Sequence, residues 1–315
     1  MLISDGCLKS CGGIQISNQK SEISNSAILP RMAAKPRIAM VGPGSLGSAL
    51  AVSLSNAGYR VSEVVSREGR ASRQRARRLA NRVGARATTT NRPALTAQIV
   101  WLCVPDREIA RCARSLGEAS GWKGKVALHS SGALSSDELS VLRRKGAAVA
   151  SLHPMMTFVQ GVTPSLEGVP FALEGDALAV RTARAIVRQL KGEVFPIQKK
   201  QKPAYHAWGA FASPLLISAL VTAEQVAGAA GIGRESARRM MLPIVLQTMA
   251  NYACRGPEGA FSGPIVRGDA ETLRKHLKIL GRIRGTKEVY LALARSALRH
   301  LPTRNRRLLQ EVLGF

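Results

Sequence analysis

Acidic residues are scarce in this chain: 20 Asp and Glu stand against 46 Lys and Arg, a formal net charge of +26. So basic a balance raises polyanion binding as a candidate activity. Aromatics are scarce as well, at 4% of 315 residues, and neither basic cluster, 60–92 or 267–307, interleaves them among its charges. With no stacking residues, zinc-knuckle spacing or RNA-binding motif, a dedicated nucleic-acid partner is not expected. The five cysteines, Cys7, Cys11, Cys103, Cys112 and Cys254, form neither a disulfide nor a metal pattern, which fits a reducing compartment. No metal is expected.

No apolar run reaches transmembrane length without polar interruption; the best candidate, 210–232, contains Ser213, Pro214, Glu224 and Gln225. The expectation is a cytoplasmic protein with no membrane association. Residues 1–34 lack the charged start, apolar block and cleavage site of a secretory signal. They read as a disordered leader or a mis-assigned start, with Met32 as the natural beginning. No internal repeat is present.

What the chain does have is Gly42-Pro43-Gly44-Ser45-Leu46-Gly47, set between a short β-type run, Arg37–Val41, and a helical pattern lasting to about Ala57. Strand, G-x-G-x-x-G and helix in that order form a dinucleotide-binding fingerprint. Gly42 allows the tight turn, Gly44 lets backbone approach a pyrophosphate, and Gly47 lets the helix pack on the strand. The N–H groups of Ser45 and Leu46, at the positive end of the helix, suit the phosphates. The next strand, Arg60–Ser66, ends in Ser66-Arg67 rather than in the carboxylate that bonds a ribose 2′-hydroxyl. A guanidinium binds a 2′-phosphate bidentately, so NADP is expected over NAD. Glu63 lies too early in the strand and is expected within the sheet.

Beyond it, 69–82 reads as a basic helix and Ala97–Val104 as a third, core-type strand that ends in Val104-Pro105-Asp106 on the ligand side. Strands at Lys125–Leu128, Ala147–Leu152, Val169–Leu173 and Val194–Ile197 alternate with helices at 107–119, 135–145 and 176–190. The fold class is therefore α/β: a doubly wound, mainly parallel sheet over 35–198. From Lys199 to Phe315 apolar residues recur at helical spacing, at 203–230, 234–253, 269–283 and 286–299, which predicts an all-helical second domain after the polar linker 198–202. Such an arrangement places a substrate cleft between two domains.

Over residues 36–315 the chain resembles the Rossmann-like proteins fused to a helical domain of unknown function 2520. These are relatives of 6-phosphogluconate dehydrogenase, hydroxyisobutyrate dehydrogenase and pyrroline-5-carboxylate reductase. The resemblance rests on the Gly42–Gly47 turn, His129-Ser130-Ser131-Gly132-Ala133, Leu152-His153-Pro154-Met155-Met156-Thr157-Phe158, and Tyr205-His206-Ala207 through Phe211-Ala212-Ser213. It rests also on Ser262 through Asp269, with His276. It implies an NAD(P)-dependent oxidoreductase moving a hydride to or from a small carbonyl, alcohol or imine, and a homodimer formed through the helical domains. It also implies that the Ser-Gly segment contacts the nicotinamide end, with Ser130 on the cofactor, Ser131 in catalysis and Gly132 at the substrate.

His153 ends a strand and is either a proton donor or a structural histidine. His206 and Ser213, seven residues apart, are expected on one face of the first helix after the linker. A histidine there can protonate the atom that gains charge when hydride arrives. Arg267 can fork onto an anionic substrate group, with Asp269 beside it as a second substrate contact or a helix N-cap. One departure stands out. The family commonly carries Asn directly after the serine, where this chain has Pro214, which keeps open a catalytically silent NADP-binding regulatory or scaffold role.

Overall fold

The computed structural model describes residues 35–315; the 1–34 leader, with Cys7, Cys11 and Met32, lies outside the described residues. These divide into two compact units, 35–213 and Pro214–Phe315. The first contains β1 (Ile38–Val41), α1 (Ser45–Asn56), β2 (Val61–Ser66), α2 (Arg70–Val83), β3 (Arg86–Thr89), β4 (Ile99–Leu102) and α3 (Asp106–Gly117). It continues with β5 (Val126–His129), α4 (Ser140–Arg144), β6 (Ala148–Pro154), β7 (Pro170–Gly175), α5 (Ala177–Gln189), β8 (Glu193–Pro196) and α6 (Lys202–Ala212).

The eight strands form one sheet in the order β3-β2-β1-β4-β5-β6-β7-β8. Every pairing is parallel except β6 with β7. The central strands are apolar on both faces, as parallel strands covered by helices must be: β4, Ile-Val-Trp-Leu, is wholly buried. Two apolar layers result, one around Met40, Leu50, Trp101 and Phe171, the other around Val41, Leu102, Ile109 and Leu116.

Strand β3 is not evident from the residue pattern. Arg-Ala-Thr-Thr has no apolar alternation, and it pairs only with β2 at the sheet edge. Buried Glu63 of β2 fastens it by accepting from Thr88 Oγ1 at 2.5 Å and from the N–H groups of Ala94 and Leu95. Glu63 therefore lies within the sheet, as expected. The strand predicted over Ala97–Val104 is β4, shorter at both ends.

The polar linker 198–202 does not end the first unit. Buried Lys202 and Tyr205 hold α6 onto it. The continuous helix expected over 203–230 is broken at Ser213, whose φ of −133° and ψ of −80° are not helical. Helical geometry is disfavoured for the residue before proline, while proline itself suits a first helical position, so here Pro214 starts a new helix instead of bending the old one.

The second unit is wholly helical: α7 (Pro214–Ala229), α8 (Arg234–Ala260), α9 (Pro264–Arg267), α10 (Ala270–Leu280), α11 (Thr286–His300) and α12 (Arg306–Leu313). Its small core gathers Leu273, Leu298, Leu309 and Leu313. Along α7 and α8, by contrast, Ile217, Val221, Met240, Leu242 and Ile244 are exposed. Among the described residues one stretch, Lys199–Ala229, has the length and hydropathy of a membrane span, but the break at Ser213 interrupts it.

Candidate cofactor and active site

The strand order reverses between β1 and β4, and ligands of open α/β sheets bind beyond the strand ends at such a point. The ends of β1, β2 and β4 are bonded together there: Cys103 N–H donates to Val41 O at 2.7 Å, and Gly42 N–H to Val65 O at 2.9 Å. Gly42 has φ +97°, and a Cβ on it would lie 2.5 Å from Cys103 O. A Cβ on Gly47 would lie 2.1 Å from Gly42 O, whereas one on Gly44 would meet nothing within 4 Å. Two glycines thus close the turn, and the third faces open space. Helix α1 has no side-chain cap at Gly44 and its first bond is Ser48 N–H to Gly44 O, so the N–H groups of Ser45, Leu46 and Gly47 precede the helical ladder.

A groove of about 550 Å³ opens here. Gly42 and Gly44 lie on one side, Val104 and Pro105 on another, and Ser66 and Arg67 at the end of β2. Ser66 is buried and donates to Arg67 O at 3.1 Å, while the Arg67 side chain is exposed at the groove. Glu68 and Arg75 line the same end, and Glu68 approaches Arg73 at 3.8 Å. The residues match a dinucleotide: a bare glycine where backbone must be approached, free helix-start donors, and a serine–arginine pair where a 2′-phosphate would sit.

The end of β5 forms a second cluster. His129 is fully buried; its Nδ1 accepts from Ser131 N–H at 3.1 Å, and its Nε2 lies 2.9 Å from Ser135 O. That pattern requires the neutral ring with the proton on Nε2, and burial pushes its pKa down to about 4. Ser130 Oγ accepts from Trp101 Nε1 at 2.8 Å and so turns into the sheet. Ser131 Oγ donates to Asp106 Oδ2 at 2.8 Å and accepts from Ala133 and Leu134 N–H, so its one proton is committed within the turn. Asp106 thus holds this turn from the start of α3.

Gly132, His153 and His206 converge beside it. A Cβ on Gly132 would stand 2.7 Å from His206 Cδ2 and 3.0 Å from His153 Nε2. His153 Nδ1 is 2.7 Å from the Tyr205 hydroxyl, and the His153 and His206 rings are 6.4 Å apart, nearly perpendicular. Burial, and then the charges of Lys202, His206 and His129, push the pKa of His153 down to about 4. His206 is exposed.

Three participants had no role in the reading of the residues: Lys202 and Ser151, which carry no motif, and Tyr205, which belongs to one. Lys202 Nζ donates to Ser131 O at 3.0 Å and to Ser151 Oγ at 2.8 Å, with no exposure to solvent. Within Gln-Lys-Lys-Gln-Lys-Pro it reads as one more solvated linker charge; Pro203, a first-turn residue, is the signal that a helix begins there. Of the other expected residues, Ser213 follows the end of α6 instead of sharing its face with His206. Arg267, exposed, ends α9, and Asp269 caps α10, accepting from Thr272 N–H at 3.0 Å. Both belong to the helical unit.

The Rossmann-like domain family matches residues 22–154, and the domain of unknown function DUF2520 matches residues 169–297. No curated protein matches by sequence. Among solved structures, a Bacteroides fragilis protein assigned as an NADP oxidoreductase is similar at 22% identity and a TM-score of 0.71, over 84% of this chain and 98% of that one. A Thermotoga maritima protein matches at 25% identity and 0.63, over 88% and 98%. An imine reductase from Myxococcus stipitatus in complex with NADP+ matches at 16% and 0.60, over 87% and 99%. The chain thus carries a Rossmann-like domain followed by a DUF2520 domain, and the DUF2520 match takes in the last two strands of the sheet as well as the helices after it.

Proposed function

We propose that the protein is an NADP-dependent oxidoreductase that moves a hydride to or from a small carbonyl, alcohol or imine. The observation that carries this reading is the groove at the sheet's reversal point, with Gly44 bare at one end and Ser66-Arg67 at the other. Similar folds that hold NADP+ support the cofactor assignment. The nicotinamide of the bound dinucleotide supplies or accepts the hydride. Gly42, Gly44, Ser45, Leu46 and Gly47 bind the pyrophosphate, Ser66 and Arg67 the 2′-phosphate, and Val104 and Pro105 flank the route toward the Ser131–Gly132 turn.

The proton comes from His206, with His153 beside it. With its pKa near 4, His153 is neutral at physiological pH; it orients and polarises and does not serve as an acid. His206, in contact with solvent, exchanges its proton with water and delivers it to the oxygen or nitrogen that gains charge. Ser131 acts through its backbone turn, and Gly132, having no side chain, lets the His153 and His206 rings close against that turn beside the substrate. Arg267, Asp269 and Ser213 are the remaining candidates for substrate contact.

The helical unit serves dimerisation. The large apolar side chains Ile217, Val221, Met240, Leu242 and Ile244, exposed along α7 and α8, support this reading. Light scattering should give the mass of a dimer. Following NADPH absorbance against a panel of oxo-acids, imines and semialdehydes tests the activity. Oxidation that depends on one substrate class supports the reading; tight NADPH binding with no turnover across the panel favours the silent regulatory role that Pro214 leaves open.

A further inference from the structure

A buried lysine without a carboxylate partner costs stability, because its ammonium loses water and gains no counter-ion. Lys202 bonds to no carboxylate, and Asp106 and Glu174 act on its charge only through space. It is fully buried, and no ion pair found among the described residues includes it. Its partners are two neutral oxygens, the Ser131 carbonyl and the Ser151 hydroxyl, and Ser151 itself donates to the same carbonyl at 3.2 Å. One carbonyl therefore takes hydrogen bonds from two side chains. That carbonyl immediately precedes Gly132, where the two histidine rings leave no room for a methyl group.

We propose that Lys202 is a positioning residue: its buried ammonium clamps the Ser131 carbonyl and sets the Ser131–Gly132 turn against His153 and His206. The placement on α6 carries the second half of the argument. Tyr205 and His206 lie three and four residues after Lys202, so all three share one face of the helix. Anchoring Lys202 in the sheet end delivers Tyr205 to His153 Nδ1 and His206 to Gly132. The same charge disfavours protonation of His153. The groups acting on His153 are Lys202, Tyr205 and His206 from α6 and His129 from β5. Asp106 from α3 and Glu174 from β7 act in turn on Lys202.

The inference rests on the proposed function only for the meaning of the histidines, and its test needs no substrate. Histidine-labelled protein is compared with Lys202→Met, which keeps volume and removes the charge. The readouts are nuclear Overhauser contacts from the Gly132 α-protons to the His153 and His206 rings, and the titration midpoint of His153. The expected result is loss of the contacts and a His153 midpoint higher by about one pH unit, with the sheet amides in place. Unchanged contacts and an unchanged midpoint overturn the proposal. If Lys202→Met does not fold, Ser151→Ala decides it, since that change removes one acceptor of Lys202 and the second donor to the carbonyl. Weakened Gly132 contacts in that variant support the clamp, and unaltered ones refute it.

Discussion

His153 Nδ1 lies 2.7 Å from the hydroxyl of Tyr205, a residue 52 positions later in the chain. This bond ties the end of β6 to the first turn of α6. Tyr205→Phe leaves a mostly buried ring nitrogen without its partner and should lower stability by about 1 kcal/mol. Denaturant unfolding of the two proteins measures the difference; identical midpoints would mean that the bond holds nothing.

Gly132→Ala separates function from folding. The added methyl stands 2.7 Å from His206 Cδ2, which is exposed and free to swing aside, and 3.0 Å from His153 Nε2, which needs to give by only a few tenths of an ångström. Melting temperature should therefore change little. Turnover on whichever substrate the panel identifies should fall by roughly 10²-fold, because a proton donor displaced by about 1 Å loses its alignment.

The three glycines of the first turn should respond in different ways. Gly42→Ala combines a positive φ with backbone at 2.5 Å, and Gly47→Ala drives a methyl into Gly42 O. Each should destabilise the protein by more than about 1 kcal/mol. Gly44→Val has space around its Cβ and should melt near the parent temperature while losing dinucleotide binding. Retained NADPH affinity in Gly44→Val would remove Gly44 from the pyrophosphate site.

Stability should fall on acidification between pH 6.5 and 4. His129 and His153 both have folded-state pKa values near 4, below the ordinary value of 6.5. In that window the unfolded chain binds more protons than the native one, so ΔG of unfolding rises with pH across it. Lys202 adds a slope of the same sign at alkaline pH. Burial pushes its pKa down from 10.5 to about 8, so stability is gained as pH rises between those values. Melting temperatures across both ranges check the signs, with His153→Asn flattening the first and Lys202→Met the second.

Much of the first unit is legible in the residues because its strands are continuous apolar runs and its turn needs glycine at set spacings. Glu63 could be placed in the sheet for the same reason. β3 could not, since Arg-Ala-Thr-Thr has no apolar alternation and is held by pairing with β2 and by the bond from Thr88 to Glu63. Lys202 was hidden by its neighbours: in a run of polar residues nothing local marks the one lysine that turns inward. Ser213 illustrates the opposite case. Helical periodicity carries through it, but Pro214 overrides the periodicity and starts a separate helix.

The central claim is that the groove between Gly44 and Arg67 takes NADP. Calorimetric titration of the purified protein with NADPH and NADH tests it most directly. A charge-assisted, bidentate contact to the 2′-phosphate is worth about 1.5–3 kcal/mol, so NADPH should bind at least about tenfold more tightly, and Arg67→Asp should narrow or reverse the gap. Equal affinities for the two cofactors, or binding of neither, would contradict the account.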